Sequence, residues 1–414
     1  MNSWRNVTVN DLGQIITGST PPTKKTEYYG DEYPFITPTD IKIDSRIVQT
    51  QRFLSQKGYE YNKNRLLPRN AVCVVCIASI GKICMTTVSS VTNQQINSVV
   101  VDQQKHDPYF VYYLLSTKAD MLHNVAGGVA TPIVNKSTFA NLGVCVPPLK
   151  TQRKIAAVLS AYDDLIENNT RRIKILEDMA QTLYQEWFVH FRFPGHESLR
   201  MVESSLGLIP QGWEIISASD AIFINPQTSI PRDTKKPFVP MKSATEHSML
   251  ITEIEERTGN SGAKFKNGDT LFARITPCLE NGRTGFVQFL PNDDEIAFGS
   301  TEFIVLRSKI LNPYFVYFLA QTYDFRENAI KSMTGATGRQ RVVNQCFDDY
   351  FFPSPNQDIL DQFESTISPL FRKIQNLSER NTNLQKTRDL LLPKLISGEI
   401  DVSELDIDTT PKSN

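Results

Sequence analysis

A long amphipathic stretch between Lys150 and Arg192 constrains the fold of this chain more than any other part of its sequence. Apolar residues recur there in alternating steps of four and three, and mostly polar residues fill the positions between them. This seam consists of Ile155, Leu159, Tyr162, Ile166, Asn169, Ile173, Leu176, Ala180, Leu183 and Trp187. A narrow apolar stripe of this period packs best against a second long helix rather than a globular core.

The partner helix is predicted within the same chain, because the whole seam recurs at a constant offset of 208 residues. The second seam consists of Phe363, Ile367, Leu370, Ile374, Leu377, Asn381, Leu384, Arg388, Leu391 and Leu395. Ten matches at one offset indicate an internal duplication. We therefore expect two long helices, at about residues 152–190 and 358–396.

Antiparallel pairing about a pseudo-two-fold axis would bring together residues whose numbers sum to 550. The pairs would be Ile155 with Leu395, Leu159 with Leu391, Ile166 with Leu384, and Trp187 with Phe363. Asn169 would face Asn381, and opposed amides can satisfy each other, whereas an Asn facing Leu would be buried unpaired. The sequence thus predicts a polar layer that sets the register; the alternative is two solvated Asn on a frayed seam.

The duplication extends beyond the helices. Trp4 and Trp213 each open a segment, and the runs that begin Asp107-Pro108 and Asn312-Pro313 each predict a helix capped by Asp or Asn with Pro at its first position. A Gly-rich loop follows each run, at 127–131 and 335–341, and Pro residues precede each long helix. Each copy is therefore predicted to be a strand-rich α/β domain followed by a long helix.

The predicted fold class is α+β, with two similar strand-rich α/β domains at opposite ends of an antiparallel two-helix coiled-coil spacer and an internal pseudo-two-fold. The predicted segments are a first domain, the central long helix, a second domain, the C-terminal long helix and an acidic polar tail, at 1–149, 150–193, 194–355, 356–400 and 401–414.

Composition places the chain among ordinary globular proteins, with 40% hydrophobic and 21% charged residues over 414 positions. No apolar run approaches the roughly 20 residues of a membrane span, and the N-terminus has no signal-peptide pattern. Six scattered cysteines indicate a reducing compartment, so we expect a cytoplasmic protein with no membrane association. Cys73 and Cys76 have no second ligand pair at zinc spacing, and we predict no metal site.

The two copies differ in charge. Residues 1–150 hold 15 Lys and Arg against 10 Asp and Glu, a net charge of +5. Residues 194–355 hold 16 against 19, a net charge of −3. A nucleic-acid role for the second copy must therefore rest on local clusters of cations.

Signatures of catalysis are missing from the sequence. The runs at Asp107 and Asn312 resemble the N-P-P-Y signature of amino-methyltransferases, but both lack its second Pro, and no F-x-G-x-G cofactor loop accompanies them. A phosphate-binding G-x-x-x-x-G-K-[ST] loop is also missing, and the five His form no grouping for acyl transfer. We predict no catalytic residues in this chain.

Loop residues of both copies suit contact with DNA, since hydroxyl, amide and cationic side chains bind phosphates and base edges. The candidates in the first copy are Thr20, Lys24, Lys25, Ser79, Lys82, Asn93, Gln94 and Asn97. Those in the second are Lys235, Lys236, Lys242, Arg274, Asn281, Arg283, Arg339, Gln340 and Arg341. We expect Arg339 and Arg341 to contact DNA phosphate or a base edge, because an acidic domain most needs local positive potential there.

With these features, nearly the whole chain resembles the specificity subunit of a type I restriction-modification system. The resemblance rests on the duplicated Trp-headed domains, on the helix that contains Gln152-Arg153-Lys154-Ile155-Ala156 and Leu159-Ser160-Ala161-Tyr162-Asp163, and on the closing run 390–400, LLLPKLISGEI. The net acidic second copy departs from the basic surface expected of such a protein.

This resemblance implies a non-catalytic, sequence-specific subunit for double-stranded DNA, whose target-recognition domains each read one half of a bipartite target. It also implies two DNA methyltransferase subunits, which use S-adenosylmethionine, and restriction/translocase subunits, which use ATP and Mg. None of these cofactors is expected in this chain. Two alternatives remain: a stand-alone DNA-modifying enzyme with an unrecognised site, and a structural spacer that binds proteins at both ends.

Overall fold

The computed structural model describes residues 4–42, 45–126, 132–246, 248–336 and 338–410. These form two compact units of mixed α+β structure. The first comprises the chain up to Asn168 together with the chain from Asn381 onward, and the second comprises Asn169–Arg380. Each long helix contributes residues to both units. The predicted Gly-rich loop 127–131 lies outside the described residues, as does Thr337 of the second such loop.

The part of the first unit between Trp4 and Val146 is called the first head. Its strands are β1 (Arg5–Thr8), β2 (Gly13–Thr17), β3 (Tyr29–Gly30), β4 (Tyr33–Ile36), β5 (Phe53–Leu54), β6 (Val72–Val75), β7 (Ile83–Met85), β8 (Val91–Thr92), β9 (Ile96–Val101) and β10 (Gly143–Val146). Its helices are α1 (Val9–Leu12), α2 (Gln56–Tyr61), α3 (Pro108–Ser116), α4 (Ala119–Val125) and α5 (Lys136–Ala140). The first long helix, α6 (Leu149–Tyr184), follows and continues as a π-helical turn, Gln185–Val189.

The strands of the first head form three sheets. β1 pairs with β10; β2, β9, β6 and β7 form an antiparallel sheet in that order; and β3, β5, β4 and β8 form another. Within the last sheet β4 and β8 run parallel, with Ile36 opposite Thr92. Helix α3 is almost entirely buried, and its side chains join those of β6 and β9 in one hydrophobic core.

The second unit repeats this plan. Its strands are β11 (Met201–Ser204), β12 (Gly207–Pro210), β13 (Glu214–Ser217), β14 (Ile222–Ile224), β15 (Lys235–Val239), β16 (Glu255–Thr258), β17 (Ala263–Phe265), β18 (Thr270–Ala273), β19 (Thr284–Phe286), β20 (Ala297–Gly299), β21 (Phe303–Ser308) and β22 (Phe351–Ser354). Its helices are α7 (Ala218–Ala221), α8 (Pro313–Gln321) and α9 (Tyr323–Lys331), and the second long helix, α10 (Gln357–Ser397), follows. The part between Trp213 and Ser354 is called the second head.

The second head also has a two-stranded sheet and two four-stranded sheets, and they differ from those of the first in where the parallel pair lies: at the edge of its sheet in the first head and in the middle in the second. β13 pairs with β22; β14, β21, β18 and β19 form one sheet; and β16, β15, β20 and β17 form the other. Here β15 and β20 are the parallel pair, with Val239 opposite Gly299. The equivalent of α3 is α8. Asp107 Oδ1 accepts from Phe110 N at 3.0 Å and Asn312 Oδ1 from Phe315 N at 2.8 Å, which confirms both predicted caps.

Both predicted long helices are present, and every position of the two apolar seams is buried or half-buried. In the first unit Arg388 contacts Asp163 and Asn381 contacts Ile166, so residue numbers fall on α10 as they rise on α6. The segments are therefore antiparallel. In the second unit the rings of Trp187 and Phe363 lie 5.7 Å apart, as predicted.

The predicted Asn layer stays a prediction, because Asn169 belongs to the second unit and Asn381 to the first. Both side chains are 9% exposed, so the alternative of two solvated amides is wrong. Asn381 Nδ2 donates to the carbonyl oxygen of Ile166 at 3.4 Å.

Candidate nucleic-acid interface

The predicted DNA-binding loops of the first head converge at one edge. Parallel strands end at the same side of a sheet, so the residues after β4 and β8 lie together, and Asn93 N donates to Ile36 O at 3.1 Å. The segment after β2 joins them, since Thr20 Oγ1 donates to Gln94 Oε1 at 2.6 Å. The β6–β7 loop completes the edge, because Cys76 N donates to Gln95 O at 2.8 Å. We call residues 18–25, 37–40, 76–82 and 93–95 the first loop cluster.

Most first-head candidates lie on this cluster with accessible side chains. Lys24, Lys25, Ser79 and Gln94 are exposed, and Thr20 and Lys82 are half-buried. The Lys82 ammonium donates to the carbonyl oxygen of Pro38 at 3.3 Å, which ties two of the loops together. The Lys25 ammonium lies 5.4 Å from the centre of the Tyr28 ring.

Burial argues against DNA contacts for Asn97 and Asn93. Asn97 is 3% exposed and accepts from the Thr17 hydroxyl at 2.6 Å, because it lies within β9 opposite Thr17. Asn93 is 7% exposed, and its amide donates to Gln95 at 2.9 Å. Of the predicted amide run, Gln94 presents its side chain to solvent, and this corrects the expectation for the other two residues.

The second head builds an equivalent edge. Ser300 N donates to Val239 O at 3.0 Å, and Arg274 N donates to Glu302 O at 3.0 Å. Thr276 N donates to Gln340 O at 3.2 Å, which brings in the loop that precedes the long helix. We call the described parts of 240–246, 274–283, 300–302 and 338–342 the second loop cluster.

Acidic neighbours hold several second-head candidates in this cluster. Lys242 lies 2.5 Å from Glu253, and this hydrogen bond raises the pKa of the lysine. Asn281 donates to Glu246 at 3.1 Å, and Arg283 lies 3.6 Å from the same carboxylate. These contacts show that several cations of the acidic second head pair with its own carboxylates.

The three residues of the predicted Arg-Gln-Arg run differ in their surroundings. Arg339 is exposed, and among the described residues no ion pair involves it. Gln340 is half-buried. Arg341 donates from Nε and Nη2 to the two carboxylate oxygens of Glu302, at 2.9 and 2.6 Å. This bond lowers the pKa of Glu302 below the usual range for a glutamate.

Lys235 and Lys236 lie away from this edge. They are the first residues of β15, whose last residue, Val239, leads into the cluster. At about 3.3 Å per residue, the strand separates its two ends by roughly 13 Å. Lys236 also lies 3.7 Å from Glu295. The two lysines therefore lie outside the second loop cluster, and their contact with DNA stays a prediction.

Several residues that contact or border these clusters were missed by sequence reasoning. Arg52 donates to Thr39 at 2.8 Å and also contacts Thr37, and the exposed Arg65 donates to Gly18 O at 3.4 Å. A cleft beside Arg274 is also lined by Gln227, Lys264 and Thr301. None of these residues belongs to a recognisable run, since folding brings them to the edge from distant parts of the sequence.

In the part of the chain that the structure describes, no cluster of three or more His, Cys, Asp and Glu could hold a metal ion. No helix within those residues is long and apolar enough to cross a membrane. Cys73 and Cys76 are buried, and burial raises the pKa of the Cys76 thiol to about 11.

Comparisons with known proteins agree on one family. The family model described as "Type I restriction modification DNA specificity domain" matches residues 1–178. The specificity subunit of the type I restriction enzyme MjaIX from Methanocaldococcus jannaschii is 29% identical over 420 residues, covering 97% of this chain and 94% of that protein. The HindI specificity subunit from Haemophilus influenzae is 35% identical over 181 residues, covering 42% of this chain and 39% of that protein.

A solved structure shares the fold. The crystal structure of the S subunit of a type I restriction-modification system from M. genitalium matches with a TM-score of 0.60 and 14% identity, covering 95% of this chain and 96% of that one. Together with the repeated heads and the paired long helices, these matches show that the chain is similar, along nearly its whole length, to specificity subunits of type I restriction-modification systems.

Proposed function

We propose that this chain is a sequence-specific DNA-binding subunit that reads a bipartite, asymmetric DNA target. It directs partner methylation and restriction subunits to that target. One observation carries the proposal: in both heads, loops from four parts of the chain meet where a parallel strand pair ends, and they present hydroxyl, amide and cationic groups. Such groups bind phosphates and read base edges.

Differences between the heads support two unlike half-sites. Cys76 N donates to Gln95 O in the first head as Arg274 N donates to Glu302 O in the second, so these residues occupy equivalent positions. The first head thus has an amide side chain where the second has a carboxylate, and a buried thiol where the second has a guanidinium. Heads that present different donors and acceptors prefer different bases.

The partners belong to the proposal as well. Two methyltransferase subunits would supply the S-adenosylmethionine chemistry, and restriction/translocase subunits would supply the chemistry of ATP and Mg. This chain would be non-catalytic and would act in the cytoplasm. The placement of the two heads at opposite ends of a paired-helix spacer, with the five segments delimited from the sequence, is part of the same proposal.

Methylome sequencing of the host, with and without the gene, tests the proposed function. One bipartite motif should lose its methylation in the deletion strain and regain it on complementation. In parallel, the affinity of the full-length chain for duplex DNA should fall linearly with log salt, because phosphate contacts release counterions. Methylation or cleavage by the purified chain alone would favour a stand-alone enzyme. No salt-dependent DNA affinity would favour a spacer that binds only proteins.

A further inference from the structure

Arg341 is held in place by its backbone. Its N donates to Thr334 O at 2.9 Å, and its O accepts from Thr334 N at 3.0 Å. On its other side it forms a bridge with Ile275, the residue after Arg274. The side chain nevertheless remains 48% exposed. A fixed backbone and an accessible guanidinium are what a group that reads a ligand requires, since little conformational freedom is lost on binding.

Glu302 occupies one side of the guanidinium and leaves its end free. The carboxylate takes the donors on Nε and on one side of Nη2. The guanidinium has five N–H donors, so the two on Nη1 and the second one on Nη2 point away from Glu302. Within the described part of the chain, no hydrogen bond engages Nη1. Two parallel donors at the end of a guanidinium match O6 and N7 of guanine in the major groove.

The same carboxylate disfavours a phosphate contact. The hydrogen bond from Arg341 lowers the pKa of Glu302, so the carboxylate is ionised at neutral pH. Its negative charge offsets that of the guanidinium and would repel a phosphate nearby. Arg339, exposed in the same loop, carries no such partner in the described structure and suits phosphate contact instead.

The first head differs at the equivalent position. Ile77 bridges Ile133 there as Ile275 bridges Arg341 in the second head. Ile133 is 49% exposed, so the two heads present an apolar group and a guanidinium from the same place in the fold. A position that is accessible in both heads and chemically different in each is suited to distinguish two half-sites.

We propose that Arg341 reads a guanine in the half-site bound by the second head, and that Glu302 is the positioning residue that orients it. This inference rests on the proposed function and adds to it the base that one residue recognises. It also revises the expectation that Arg339 and Arg341 act alike.

The experiment uses the full-length chain and a duplex carrying the motif found by methylome sequencing. Each guanine of the second half-site is replaced in turn by 7-deazaguanine, which lacks the N7 acceptor. We expect one replacement to weaken DNA binding by the wild-type chain roughly tenfold. The same replacement should leave DNA binding by the Arg341→Ala variant unchanged. Arg341→Lys keeps the charge but loses the two parallel guanidinium donors. It should therefore also fail to distinguish guanine from 7-deazaguanine.

Arg339→Ala is the matched control from the same loop. This variant should reduce the slope of log affinity against log salt concentration by about one unit, and 7-deazaguanine should weaken its binding as much as it weakens that of the wild type. Arg341→Ala should leave the slope nearly unchanged. Glu302→Gln should steepen the slope and reduce discrimination, because Arg341 then attracts phosphate.

Three outcomes overturn the inference. The first is a second half-site made only of A·T pairs, and the second is a 7-deazaguanine effect that persists in full in Arg341→Ala. The third is a Glu302→Gln variant whose salt dependence and whose sensitivity to 7-deazaguanine both equal those of the wild type. In each case salt-dependent, sequence-specific binding by the wild-type chain would leave the proposed function standing. Absence of that binding would instead remove the proposed function.

Discussion

Asp163 links three elements of the first unit through its buried carboxylate. It accepts from the Tyr113 hydroxyl at 2.5 Å and from Arg388 Nη1 at 2.6 Å, and so joins α3, α6 and α10. The side chains of Asp163 and Arg388 are 7% and 12% exposed. Breaking a buried ion pair leaves an uncompensated charge, which costs far more than the loss of an exposed pair.

We therefore expect Asp163→Ala to lower the free energy of unfolding by about 3–5 kcal/mol. Asp389 offers the matched control, because it also pairs with Arg388 but is 60% exposed. Asp389→Asn should cost less than about 1 kcal/mol. Denaturant unfolding measures both variants, and equal losses would contradict the importance assigned to burial.

Glu177 predicts a pH-dependent stability in the second unit. Its Oε1 accepts from Ser248 Oγ at 2.5 Å and from Met249 N at 2.9 Å, and burial raises its pKa above the usual range for a glutamate. A raised folded-state pKa means that the folded protein holds this proton more tightly than the unfolded chain does. Stability from this group is therefore present below the unfolded pKa and is lost as pH rises through the folded one.

Glu177→Gln should keep both hydrogen bonds, because a carboxamide oxygen also accepts them, but it carries no charge. We expect the variant to match the wild type at about pH 4 and to be more stable at pH 7, since only the wild type pays for a buried charge there. Melting temperatures across this pH range measure the difference. Asp178→Asn, at an exposed carboxylate on the same helix, should show no such trend; a parallel trend in both variants would contradict the role of Glu177.

At the scale of elements, the two long helices follow the heptad pattern closely. Each seam has a single Asn, and Asn169 and Asn381 are both buried. If the two amides face each other as predicted, replacing either one alone with Leu should lower the melting temperature, because the other amide is then buried without that hydrogen-bond partner. Replacing both should raise it while loosening the register. A double variant whose loss equals the sum of the two single losses would show that the amides do not interact.

At the scale of the whole molecule, the duplicated heads predict modular recognition. Exchanging residues 1–145 for those of a relative with a different target should change one half of the methylated motif and leave the other. Exchanging 194–355 should change the complementary half. Methylome sequencing reads both results, and we expect half-site centres roughly one turn of DNA apart or somewhat more. A change in both halves after one exchange would mean that the heads do not read independently.

The predictability of the candidate site differs between its parts. The caps at Asp107 and Asn312 were predictable because a cap depends on residues within one helical turn. The accessibility of Gln94 and the burial of Asn97 were not, although the two lie three residues apart, because a strand register decides them. The partners Glu246, Glu253 and Glu302 were also missed, since nothing in the sequence indicates which carboxylate meets which cation.

The sequence by itself determined the duplication, the two long helices and the class of fold, because heptad periodicity and caps are local and repeat at a constant offset. It also determined that acidic residues outnumber Lys and Arg in the second copy. Only the tertiary structure decided which loops meet, because the parallel pairing of β4 with β8 and of β15 with β20 sets the edge at which they gather. It likewise decided that Arg341 is bound side-on by Glu302, since that contact joins residues 39 positions apart across two loops.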